Sequence, residues 1–211
     1  MPRGGIALRV PAMKLLPPLT ALTALLLFVW LRIGGGQPAL VDLAAAVPDV
    51  KVDLRYATDD NFFRQKFYTD TRARLRPTTA AKLAAAQKEF AERGLRLKVW
   101  DAWRPISVQR EMWKVMPNPD YVADPAKGSR HNRGAAVDIT LIDKDGRELE
   151  MPTGFDDFSP RAHPDSAEVS EAAKKNRALL REVMERHGFK VLATEWWHFD
   201  DTDWKQFDIL E

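Results

Sequence analysis

The run Ala135-Ala-Val-Asp-Ile-Thr-Leu141 constrains the fold more than any other stretch. It is short, apolar and rich in β-branched residues, which reads as a buried strand. Yet it carries Asp138 in its middle. A buried carboxylate is costly unless it is paired or bound to a metal. The chain must therefore close around this strand and bring Asp138 a partner. The preceding residues offer one. Gly128-Ser-Arg-His-Asn-Arg-Gly134 holds His131, and Gly134 with two alanines leaves room to approach the backbone. A second histidine lies near the other end, in Thr194-Glu-Trp-Trp-His-Phe199, with Glu195 three positions before His198. Two histidines and one aspartate match the ligand count of a catalytic zinc site, which keeps its fourth position for water. Glu195 would then be a spare carboxylate placed to act on that water.

Taken singly, His131 reads as a loop histidine and Asp138 as a turn acid. Taken with Gly134, and with His198 beside two tryptophans, they read as a site. The other histidines do not join them. His163 sits between Ala162 and Pro164 in a polar loop and reads as solvated. His187 falls in the last turn of a helix, where a partly positive imidazole meets the helix dipole. Asp143-Lys-Asp-Gly146 lacks the remaining ligands of a calcium loop and reads as a plain turn. The tryptophans at 100, 103, 113, 196 and 197 read as core, some of them also walling the site. One geometric difficulty stands. Positions i and i+3 of a regular strand face opposite sides, so Glu195 and His198 need a bulge within Trp196-Trp197, or a strand end, to face one metal.

Composition narrows the chemistry. The chain has 211 residues, enough for one core domain and a short appendage. Its net charge of +2 shows no bias toward nucleic acid or acidic surfaces. There are no cysteines, which excludes disulfides, thiolate zinc sites, a cysteine nucleophile and a lipid-modified cysteine. Residues 1–39 read as a segment outside the fold. Arg3, Arg9 and Lys14 precede an apolar run from Leu15 to Leu31, followed by Arg32 and Gly34-Gly35-Gly36. That is the composition of a secretory signal, with Met13 as an alternative start. The rival reading is an uncleaved anchor, but the run from Leu19 is shorter than the ~20 residues a spanning helix needs. Export to the periplasm or the exterior is expected, with membrane contact only through this segment if it is uncleaved.

Residues 40–211 are expected to form a single α+β domain, a central antiparallel sheet flanked by helices. The pattern predicts a short strand and turn over 53–62, a helix over 78–92 capped by Thr78 or Thr79, and a strand over 95–100. A helix started by Pro105 runs to about Met116, and a loop covers 117–130. After the Asp138 strand, Asp145-Gly146 turns into a strand over 147–151. A helix spans 170–187 and a final strand spans 189–199.

His131-x6-Asp138 followed by Glu195-x-x-His198 resembles the zinc D,D-peptidases. That superfamily includes D,D-carboxypeptidases and the zinc-binding domain of hedgehog signalling proteins. The finer resemblance is to VanX-type D-alanyl-D-alanine dipeptidases. It rests on Arg55-Tyr-Ala-Thr-x-x-Asn-Phe62, Trp100-Asp-x-x-Arg-Pro105, Ser129-x-His-x-Arg-Gly-x-Ala-x-Asp138, Phe155-Asp156 and Glu195-Trp-Trp-His198, and extends from about Val47 to Phe207. The loop from Pro117 to Lys127 looks short for that family. The resemblance implies one zinc per chain on His131, Asp138 and His198. Glu195 would be the general base, then acid. Arg104 would stabilise the oxyanion, supported by an ion pair with Asp101. Tyr56 and Asp156 would hold the free ammonium of a D,D-dipeptide, and Ser129 would help position its other end. Three classes follow: a zinc dipeptidase acting in cell-wall peptide recycling or degradation, a carboxypeptidase or endopeptidase cutting longer wall peptides, and a non-catalytic zinc module of the hedgehog kind. Asp156 argues against the second. Glu195 and Arg104 together argue against the third.

Overall fold

The computed structural model describes residues 39–211 and Met1, so the signal segment expected over 1–39 lies almost wholly outside the described residues. No helix among the described residues is long and apolar enough to cross a membrane. The chain forms β1 (Val41–Asp42), α1 (Leu43–Ala46), β2 (Lys51–Val52), β3 (Arg74–Leu75), α2 (Pro77–Ala91) and β4 (Arg96–Asp101). It continues with α3 (Ile106–Val115), β5 (Ala136–Ile142), α4 (Glu171–Arg186), β6 (Phe189–Leu192) and β7 (Glu195–Asp201). The main sheet has the order β2-β4-β5-β7-β6, and β1 pairs with β3 in a small second ribbon. Every pairing in the main sheet is antiparallel except at one edge, where Lys51 and Val52 run parallel to Lys98 and Val99. Parallel neighbours need a long crossover. Residues 53–95, with α2 inside them, supply it.

β5 lies at the centre, and all of its residues are buried. Its alternation divides the domain. Phe199 pairs with Val137, and Asp138 pairs with His198, so these two pairs face opposite sides. Asp201 shares a face with Phe199, and its carboxylate accepts from the Thr79 hydroxyl of α2 at 2.6 Å. That face is therefore covered by α2, with α4 packed beside it. Ala80, Leu83, Ala86 and Phe90 of α2 recur at helical spacing and are buried there. α4 contributes Leu180, Val183 and Met184 in the same way. The opposite face, reached by loops and by Gln109 of α3, carries Asp138 and His198.

Several local expectations are corrected. α2 begins at Pro77, and Arg76 caps it without a side-chain hydrogen bond. Proline at the first helical position has no N–H to satisfy, which frees Thr79 to bind Asp201. The strand expected near Asp53 is β2, one turn earlier, and Arg55–Ala57 is a 3-10 turn. The segment after Gly146 makes one bridge, Ile142 opposite Glu148, rather than a strand. The final strand is in fact the hairpin β6–β7, turned at Ala193-Thr194, where no glycine, proline, asparagine or aspartate signals it. His163 is half-buried rather than solvated. His187 caps α4 and bonds Glu89 through Nε2 at 2.9 Å. The helix predicted over 170–187 is α4, and Ser170 caps it by accepting from the Ala173 N–H at 3.0 Å.

Candidate active site and metal centre

The site is built on one row of the sheet. Asp138 on β5 lies directly opposite His198 on β7 and opposite Asp101 at the end of β4. His131 comes from a 3-10 turn over His131–Arg133 that ends at Gly134. Gly134 has φ 66°, and a Cβ there would meet Leu40 Cδ2 at 2.6 Å, so the turn requires glycine.

Both strands beside β5 are irregular at this row. On β4 the register slips at Trp100. Between β6 and β7, Val191 faces Phe199, but Leu192 already faces Glu195. A regular ladder would set Leu192 against His198. The irregular stretch runs over Trp196, Trp197 and His198, which have no partner on β6, and it removes the difficulty that Glu195 and His198 should face opposite sides. Both now line one cleft, with Glu195 Oε2 4.0 Å from His198 Nδ1. Trp196 and Trp197 are almost wholly buried and anchor the bulge.

The three metal-type ligands converge. His131 Nε2 lies 3.2 Å from His198 Nδ1 and 3.4 Å from Asp138 Oδ2, and His198 Nδ1 lies 3.0 Å from Asp138 Oδ1. Ligand atoms ~2.0–2.2 Å from a tetrahedral zinc stand roughly 3.3–3.5 Å apart, so little adjustment is needed. The outer ring nitrogens decide the tautomers. His131 Nδ1 faces the Ala102 carbonyl at 2.6 Å, and a carbonyl can only accept. His198 Nε2 faces the Asp200 carboxylate at 2.9 Å. Each ring thus has its outer nitrogen occupied and turns its inner nitrogen toward the other ring and toward Asp138, where that nitrogen, once unprotonated, can serve as a metal ligand. The buried carboxylate calls for a cation beside it. Burial raises the Asp138 pKa, but the imidazoles of His131 and His198 outweigh that and hold it well below the usual carboxylate range, while, against burial, Asp138 and Asp200 hold His198 well above the usual imidazole range. Imidazole and carboxylate donors without thiolate suit zinc in an open catalytic site. Ala102 and Asp200 orient the rings from behind.

The remaining predicted residues surround these ligands. A cleft of about 300 Å³ is lined by Tyr56, Arg104, Ser129, Asp156 and Glu195 as well as the ligands. That is the small end of the ~300–1,000 Å³ range for ligand sites. Burial pushes the Glu195 carboxyl above its ordinary range, against the pull of His198. Arg104 is buried, with Nη2 donating to Asp101 at 2.5 Å, Nη1 donating to Gln109 at 3.0 Å, and its guanidinium 5.0 Å from the Tyr56 ring centre. Its Nε has no partner among the described residues, leaving one buried donor free. Asp101 is fully buried and also accepts from Tyr68 at 2.6 Å and from the Ala102 N–H at 2.9 Å. Ser129 closes the His131 turn by accepting from the Asn132 N–H at 3.3 Å.

Asp156 accepts from the Tyr56 hydroxyl at 3.0 and 3.2 Å and from the Phe62 N–H at 3.2 Å. Its backbone is left-handed, φ 58°, a strain found where a side chain must be aimed. Burial pushes its carboxyl up to about 7, although the Phe62 N–H favours ionisation. An acid with a raised folded pKa costs stability as pH rises from its unfolded value near ~4, and the cost is complete above about 7. Asparagine tolerates left-handed φ and keeps one acceptor oxygen. Metal-free Asp156→Asn should therefore be more stable than the parent at pH 8, by on the order of 2 kcal/mol, with no advantage at pH 4. Urea unfolding at both pH values checks this; an equal advantage at both would contradict it.

Sequence reasoning missed Tyr68, Gln109, Asp200 and the Ala102 carbonyl. Only Asp200 left a signal: it follows His198 by two positions and so shares its strand face.

Comparison with known proteins identifies a family. The family described as D-ala-D-ala dipeptidase, Peptidase M15, matches residues 37–208. A D-alanyl-D-alanine dipeptidase of Escherichia coli K12 is 40% identical over 161 residues, 76% of this chain and 83% of that one. One from Enterococcus faecalis V583 is 32% identical over 171 residues, 71% of this chain and 85% of that one. A solved structure of the LdcB LD-carboxypeptidase aligns with a TM-score of 0.49 at 17% identity, covering 81% of this chain and 71% of that one. By the family match and the identity to these relatives, the chain belongs to the D-ala-D-ala dipeptidase family, Peptidase M15.

Proposed function

We propose that this chain hydrolyses the free dipeptide D-alanyl-D-alanine, using one zinc ion held by His131, Asp138 and His198. The observation that carries the reading is a single cleft that places these ligands beside Glu195 and Arg104, with Asp156 also in its wall. Zinc, when bound, supplies Lewis acidity that polarises a carbonyl and acidifies water. The chain's own groups do the rest. Glu195, its pKa lifted by burial, takes a proton from the attacking water and returns it to the leaving amine. Arg104 offers donors to the oxygen that gains charge, and its guanidinium is held in place by Asp101 and Gln109. Asp156 and Tyr56 bind the substrate ammonium, Tyr56 as a neutral donor whose pKa burial raises further. Ser129 helps position the carboxylate end. Reading residues 1–39 as an export signal places this activity outside the cytoplasm, on dipeptide released from the cell wall.

Elemental analysis and turnover test the reading together. The purified protein should carry about one zinc and release D-alanine from free D-Ala-D-Ala. His131→Ala should lose zinc, with affinity down at least ~10-fold, since even residues behind the ligands cost that much. Undiminished zinc in that variant would remove His131 from the ligand set.

A further inference from the structure

Three aromatic side chains from three separate loops meet at the cleft. Phe62 and Tyr121 are among the few exposed large hydrophobics of the described residues, at 38% and 43%. Their rings stack at 5.7 Å and 13°. Phe158 meets both edge-on, at 5.2 Å from Phe62 and 5.1 Å from Tyr121. Exposed aromatic surface is unfavourable unless it serves contact, yet here it is spent on one cluster.

The position of the cluster gives it a role. Tyr121 and Phe158 line the catalytic cleft, and they also line a second cavity of about 390 Å³ that contains His163. With Pro119, Asp120 and Thr194, which also line both, they stand between the two adjoining spaces. Phe62 walls a third cavity, also about 390 Å³, which shares Asp156 with the cleft. Two of the aromatics are tied to the Asp156 end, and Tyr121 joins them through its ring contacts. The Phe62 N–H donates to Asp156, and Phe158 lies two residues beyond it. The cluster therefore stands beside the end of the cleft where Asp156 would hold a substrate's amino group.

We infer that Phe62, Tyr121 and Phe158 form a length gate: they close the amino-end side of the cleft, and the adjoining cavities are the room a longer peptide would occupy if the gate were removed. This rests on the dipeptidase reading and names the residues that set its substrate length. The three side chains meet by ring contacts, with no hydrogen bond between them among the described residues, so truncating one ring opens the wall without stranding a polar group.

The test compares kcat/KM for free D-Ala-D-Ala and N-acetyl-D-Ala-D-Ala in the wild type, Tyr121→Ala, Tyr121→Phe and Tyr121→Ala/Phe158→Ala. Loss of the ammonium is common to all the enzymes, so a change in the ratio reads the wall alone. The acetylated-to-free ratio should rise at least ~10-fold in Tyr121→Ala and further in the double variant, a scale set by steric exclusion of one small group. Tyr121→Phe keeps the ring and should keep the wild-type ratio. Tyr121 is exposed at a loop, so the single variant tests the gate even if the double variant fails to fold. An unchanged ratio in Tyr121→Ala, with the free dipeptide still cleaved, overturns the gate. A wild type inert on the free dipeptide sinks the dipeptidase reading itself, and the gate with it.

Discussion

Glu195→Gln should keep its zinc and lose at least ~10²-fold in kcat, the usual size of a general acid–base contribution. The substitution preserves shape and removes only the ability to take and return a proton. Glu195 lies 4.0 Å from the nearest ligand nitrogen and is outside the converging triad, so metal content should not fall. Its environment suits the role. Burial lifts its pKa toward the working range of a base, and its place at the start of the β7 bulge sets it beside the ligands. Steady-state kinetics with elemental analysis on the same sample check both halves. A variant that turned over normally would move the base elsewhere. One that lost zinc would make Glu195 a ligand.

Arg104→Lys should lose ~10²-fold in kcat, in line with removal of one oxyanion donor, with KM for the free dipeptide changed far less. Lysine keeps the charge, so Asp101, fully buried, keeps a cation. Alanine would be a poorer test, because an unpaired buried Asp101 would destabilise the fold by ~3–5 kcal/mol. Lysine cannot bind Asp101 and Gln109 and still present a donor in the same plane, as guanidinium does. Near-parental kcat in the lysine variant would remove Arg104 from the oxyanion site.

The metal centre was legible because its chemistry leaves few residue types to choose from. A carboxylate inside an apolar strand demands a cation, and His131 and His198 were the histidines with compatible surroundings. The central strand was legible from its short, β-branched, apolar run, in which a carboxylate was the conspicuous exception. The β6–β7 hairpin was hidden, because Ala193-Thr194 carries no turn chemistry and the irregular stretch over Trp196, Trp197 and His198 exists only in pairing. Tyr68 and Gln109 were hidden because they reach Asp101 and Arg104 from distant or helical positions, and no local pattern records a tertiary hydrogen bond. The aromatic gate was hidden likewise. Phe62, Tyr121 and Phe158 read as ordinary loop aromatics until the fold stacks them.

The most direct test of the central claim is kcat/KM of the zinc-loaded wild type on free D-Ala-D-Ala against its N-acetylated form. Acetylation removes the ammonium that Asp156, already held by the Tyr56 hydroxyl and the Phe62 N–H, would pair with, a charge-assisted contact worth ~1.5–3 kcal/mol. At ~1.4 kcal/mol per tenfold, the free dipeptide should be preferred by roughly one to two orders of magnitude before steric exclusion is added. Equal kcat/KM for the two would contradict the account and point to a peptidase of longer wall peptides instead.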